Sequence, residues 1–185
     1  MPTDYKITMD NIAFLMSTPI LPDNEFVTYL PFLSLDDDAL FEKSKRITGL
    51  KIHWTYRSGV FRKVAGVIEL KVMLQASCEN DVSSHEGLKR ELYAYFKKEL
   101  SKVGYTGTPI EFENVNINGR SWLKYIVPIL GVTEYSIKLS SKRFLTVRFA
   151  FIDNTGESLP KWQIEANQLM MDLVKSLKIE APGLN

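Results

Sequence analysis

From Leu50 the chain alternates: Leu50, Ile52, Trp54 and Tyr56 are apolar, while Lys51, His53 and Thr55 between them are polar. A period of two sends successive side chains to opposite sides of a strand, so this segment reads as a half-buried strand. After a turn at Ser58-Gly59 the same period returns over Val60 to Gln75, where Ile68, Leu70, Val72 and Leu74 alternate with Glu69, Lys71 and Met73, and the two runs predict a hairpin. The spacing then changes to three and four. Leu88, Leu92, Tyr95, Phe96, Leu100 and Val103 form the stripe of a helix, with a capping-box spacing in Ser83-Ser84-His85-Glu86 and a left-handed stop at Gly104. Ile110, Phe112, Val115 and Ile117 lead to Asn118-Gly119, a strong hairpin signal, and to a strand from Arg120 to about Ile129. Tyr135, Ile137 and Leu139, a turn at Ser140 to Lys142, and Leu145, Val147, Phe149 and Phe151 complete a three-strand meander. Asp153-Asn154-Thr155-Gly156 ends that sheet. Pro160 then opens a second helix with the stripe Trp162, Ala166, Leu169, Met170, Leu173 and Leu177.

Upstream, the stretch to about Leu33 holds short apolar pieces, Ile12 to Met16 and Phe26 to Leu33, broken by Pro19, Pro22 and Pro31, which is the punctuation of short strands and loops. Asp36, Asp37 and Asp38 precede Ala39, Leu40 and Phe41, where the start of a short helix favours negative charge. Mostly antiparallel strands with two long amphipathic helices predict an α+β fold, an antiparallel sheet sandwich in which each helix buries its stripe on a sheet face. No repeat or linker divides the 185 residues, so residues 1–185 read as a single α+β domain, long enough to bury about 70% of the unfolded surface.

The 23 basic and 22 acidic residues leave a net charge of +1, so no overall field steers the chain toward nucleic acid or lipid. Cys78 is the only cysteine, which excludes an intramolecular disulfide and a thiolate zinc cage built by this chain alone. No apolar run reaches bilayer length and no signal peptide opens the sequence, so no membrane span is expected. The compartment stays open: periplasmic or exported if a leader was removed, otherwise cytoplasmic. Oligomeric state is not legible.

The helix from Leu88, the segment Val115-Asn116-Ile117-Asn118-Gly119-Arg120 entering a strand over Trp122 to Val127, the paired strands Tyr135 to Leu139 and Phe144 to Phe151, and the close Val174-Lys175-Ser176-Leu177-Lys178-Ile179 resemble the family that joins the extrinsic PsbP subunit of photosystem II with the Ran-binding import factor Mog. The resemblance runs from Leu88 to Glu180, about half the chain. It implies a PsbP/Mog-like sandwich and a non-enzymatic adaptor or accessory role, in bacteria often as a lipoprotein or secretion-system factor. It brings no shared catalytic residues.

The residues offer little chemistry of their own. Asp36 to Asp38 with Glu42 lack the alternating loop spacing of a calcium site and read as helix capping, with a surface calcium site as the alternative. His53 and His85 are the only histidines, and neither stands in a nucleophile context with Cys78 or a serine, so no catalytic residue is assigned. Gly104 to Thr108 lacks the lysine of a phosphate loop. No metal or cofactor is expected. The most asymmetric segment is Lys43 to Lys63, with Lys43, Lys45, Arg46, Lys51, Arg57, Arg62 and Lys63 and no acidic residue, interleaved with Trp54, Tyr56 and Phe61. One reading is a solvated face with its aromatics in the core. The others are a surface for an acidic protein partner, formed by Lys51, Trp54, Tyr56, Arg57, Phe61, Arg62 and Lys63, or for nucleic acid, which the near-neutral total charge disfavours. The functional expectation is a binding or accessory protein acting through a protein partner. The alternatives are a secretion-associated immunity or chaperone protein, and a hydrolase whose site assembles only in the fold.

Overall fold

The computed structural model describes residues 3–18, 24–34, 41, 45–58, 63–77, 80–107, 109–127, 131–153 and 161–181. Chain order is β1 (Thr3–Met9), β2 (Ile12–Thr18), β3 (Asn24–Tyr29), β4 (Phe32–Leu33), β5 (Arg46–Ser58), β6 (Lys63–Ala76), α1 (His85–Lys102), β7 (Phe112–Ile117), β8 (Arg120–Val127), β9 (Val132–Lys138), β10 (Arg143–Asp153), α2 (Lys161–Ser176) and β11 (Lys178–Glu180). Seven strands form a long sheet in the order β3-β5-β6-β10-β9-β8-β7, and four form a small sheet in the order β11-β2-β1-β4. Every neighbouring pair is antiparallel except β1 with β4. The fold is therefore α+β with mostly antiparallel sheets.

Period two decides what each face of the long sheet buries. Leu50, Ile52 and Trp54 on β5, Ile68, Leu70, Val72 and Leu74 on β6, and Leu145, Val147 and Phe149 on β10 share one core with Ile7, Met9 and Phe14 of the small sheet and with Trp162, Ala166 and Leu173 of α2. The opposite face presents Leu123, Tyr125, Val127, Val132 and Phe144 to Leu88, Leu92 and Phe96 of α1. At Gly66 a Cβ would come within 2.1 Å of the Trp162 ring, so the indole lies directly on the strand backbone. Its Nε1 donates to Asp153 Oδ1 at 3.1 Å.

The β5–β6 hairpin and the β8–β9–β10 meander form in the expected strands. Asn118 (φ 50°) and Gly119 (φ 77°) make the tight β7–β8 turn, the left-handed pair such a hairpin needs. The Asn118 amide also donates to Lys175 O and Leu177 O, closing the carbonyl end of α2. Gly104 follows α1 at φ 73°.

Several expectations need correction. The two long amphipathic helices are not borne out. Helix α1 buries Leu88, Leu92 and Phe96 but ends before Val103, which is 69% exposed, while α2 leaves Ile164 and Met171 exposed and Leu177 lies beyond its last turn. A straight helix on a twisted sheet keeps contact along only part of its length. The capping residue of α1 is Ser84, which accepts from Gly87 N at 3.0 Å. The Ser83–Glu86 pair therefore lies one residue out of register, and Glu86 pairs with Lys89 instead. Strands β1 and β11 were not anticipated: Tyr5, Ile7 and Met9 alternate inward, and Ile179 pairs with Phe14 rather than extending the helix. Asp36 to Asp38, Glu42, Cys78 and Pro160 lie outside the described residues.

Candidate binding face and the buried polar chain beside it

Strand register lays a polar row across the α1 side of the long sheet. Lys51 faces Lys71, Lys71 faces Arg148, Arg148 faces Glu134 and Glu134 faces Tyr125. Like charges opposite one another repel, and Glu69 relieves Lys51 and Lys71. Its carboxylate lies 3.3 Å from Lys51 Nζ, 2.5 Å from Lys71 Nζ and 2.8 Å from His53 Nε2. Burial pushes the Glu69 carboxyl upward. Hydrogen bonds from Lys71 and His53, the Lys71 charge and the Lys51 hydrogen bond outweigh it and hold the group at about 2, below its ordinary 4.5. An ionised carboxylate only accepts, so His53 Nε2 is the donor in that contact. The Lys51, His53 and Lys71 side chains keep 30%, 28% and 26% of their surface exposed.

Beside this row runs a chain of buried hydrogen bonds whose direction can be read off. Arg46 Nε donates to Gln75 Oε1 at 3.1 Å, which leaves the Gln75 amide nitrogen to donate to Thr146 Oγ1 at 2.6 Å. Tyr125 OH donates to Glu134 Oε2 at 2.7 Å, so it accepts from Ser136 at 2.9 Å, and Ser136 accepts from Thr146 at 2.8 Å. Arg148 closes the chain with a double contact to Glu134. Every donor from Gln75 onward points toward the Glu134 carboxylate, and aligned bonds of this kind polarise one another. Burial, followed by the Glu134 charge, pushes the Tyr125 hydroxyl well above its ordinary value of 10.0, so it stays a protonated donor.

The residues singled out from the sequence do not form one surface. Lys51 lies on the polar face; Trp54, three positions on, is 2% exposed in the core on the other side, an inward placement that alternation imposes. Tyr56 is half-buried with its ring 5.6 Å from that of Trp162. Arg57 and Lys63 are exposed on consecutive rungs at the hairpin end, where the register shifts after Tyr56. Phe61 and Arg62 lie outside the described residues. Arg143 and Arg148, five positions apart on β10, occupy opposite faces, with the Arg143 guanidinium 4.1 Å over the Phe41 ring. Trp122 is core.

The chain through Gln75, Thr146, Ser136, Tyr125 and Glu134 was not visible in the sequence. A cavity of about 260 Å³ lined by Lys45, Arg46, Gln75, Glu91, Tyr95 and Phe144 opens at its Arg46 end. Among the described residues no three His, Cys, Asp or Glu side chains gather closely enough to hold a metal, and no helix is long and apolar enough to cross a membrane. Compared with family models, with curated proteins and with solved structures, the chain gives no match in any of the three.

Proposed function

We propose that this chain is a non-enzymatic binding protein that engages a protein partner, and that an acidic surface on the partner meets the β5–β6 hairpin along Lys51, Lys71, Arg57 and Lys63. The observation that carries this reading is the pair of exposed cations Arg57 and Lys63 on consecutive rungs at the end of the β5–β6 hairpin, with Lys51 and Lys71, which share Glu69, part-exposed further along the same two strands. Charges so arranged steer an acidic partner and fix its register more than they add affinity. Trp54 and Tyr56 act from beneath, stiffening the hairpin rather than touching the partner. A ring buried in the core cannot stack on bases, which disfavours nucleic acid on this face. The likeness to PsbP and Mog, drawn from the pattern over Leu88 to Glu180, agrees with an accessory role and is part of the same proposal.

The test is affinity capture by the unaltered chain and by the double variant Arg57→Glu, Lys63→Glu from the native source, at low and raised salt. Both positions are exposed, so the variant should keep the melting curve of the parent. The expected result is loss of an acidic, salt-sensitive partner. An identical set of captured proteins would remove this face as the contact.

A further inference from the structure

At the far end of α1 the helix and the segment after it enclose a second cavity of about 260 Å³, lined by Tyr93, Phe96, Lys97, Leu100, Tyr105 and Ile110, among others. It shares no residue with the β5–β6 face. Its inner wall is apolar and fixed: Ile110 is 8% and Phe96 5% exposed, and the Phe96 ring sits edge-on to Tyr95 at 5.0 Å and to Tyr125 at 5.7 Å. The loop is shaped around Tyr105, because a Cβ on Gly107 would come within 2.5 Å of that ring. Its rim is polar. Among the described residues the Lys97 ammonium has no ion-pair partner, and the Tyr93 and Tyr105 hydroxyls have no hydrogen-bond partner, whereas the nearby Lys89 and Lys102 pair with Glu86 and Glu99. The carbonyls that end the helix do not oppose an anion strongly, since Leu100 O and Ser101 O already accept from Val103 N, Tyr105 N and Gly104 N.

We propose that this cavity is a binding site for a small carboxylate carrying a single apolar ring, the ring against Phe96, Leu100 and Ile110 and the carboxylate at Lys97 and the two tyrosine hydroxyls. The volume lies just below the roughly 300 to 1,000 Å³ of sites for larger ligands, which limits the occupant to about one ring and a short tail. One ammonium and two hydroxyl donors match one carboxylate.

The test is a titration of the full chain with 3-phenylpropionate, followed by side-chain NMR signals of Tyr93, Leu100 and Ile110, with 3-phenylpropanol as the uncharged control. Saturable shifts confined to those residues are expected. The alcohol, and the acid against Lys97→Gln, should each bind about tenfold more weakly, the effect of losing one charged hydrogen bond. Ser101→Trp, at an exposed rim position, should fill the cavity and abolish the shifts. Absence of shifts with the acid, equal affinity for acid and alcohol, or binding that survives Ser101→Trp would each overturn the assignment.

Discussion

On one face of the long sheet, Leu70, Val72 and Phe149 are covered by the small sheet and α2. On the other, Gln75, Thr146, Ser136, Tyr125 and Glu134 are just as deeply buried but are held by a directed chain of hydrogen bonds. The two faces bury comparable side chains by different physics. The apolar face gains from removing area from water, about 25 cal/mol per Å², and such packing tolerates modest changes of shape. The polar face is stable only while every member finds its partner, because a stranded donor or charge suffers its full desolvation penalty.

The sharpest way to break this contrast is Glu134→Leu. Removing one member of a buried ion pair leaves Arg148 uncompensated and should cost about 3–5 kcal/mol, read from the urea midpoint. The double variant Glu134→Leu, Arg148→Met should recover most of that, while Ile68→Val on the apolar face should cost only about 1 kcal/mol. A single Glu134 variant no worse than Ile68→Val would erase the distinction. A smaller effect is expected at the partly solvated Glu69, where screening weakens the pairs. Its folded pKa of about 2 lies below the ordinary 4.5, so its contribution is complete above pH 4.5 and is lost as pH falls from there toward 2. Glu69→Gln should flatten the stability profile across that window; an unchanged acid limb would show that the cluster does not act this way. Smallest is the cap of α1. Ser84→Ala should lower stability by about 1 kcal/mol, while Ser83→Ala should stay within about 0.5 kcal/mol, and equal costs would return the capping role to Ser83.

The apolar face was legible in the sequence because it has a period. Ile68 to Leu74 and Leu145 to Phe149 repeat every two residues, and the turn at Asn118-Gly119 has a chemical signature. The polar chain has neither. Its members come from four strands, β6, β10, β9 and β8, and only register brings them together; a lone Thr146 or Ser136 carries no mark of burial. The basic and aromatic residues of β5 held a clue that spacing alone supplied: Lys51 and Trp54 are separated by an odd number, so a straight strand sends them to opposite sides. Strand β11 was hidden for another reason. Ile179 stands two residues past Leu177, off the three-and-four spacing of the α2 stripe, and three residues are too few to establish a period of their own.

The pairing of Lys178 with Leu15 and of Glu180 with Ala13, reinforced by Ser17 N donating to Ser176 Oγ at 3.2 Å, has a consequence for biosynthesis. Strand β2 emerges from the ribosome long before its outer neighbour exists, and so displays an open, apolar hydrogen-bonding edge until β11 has been made. Contacts this distant along the chain are late to form. Chaperone capture or self-association of nascent chains should therefore centre on Ile12–Thr18 until β11 is released.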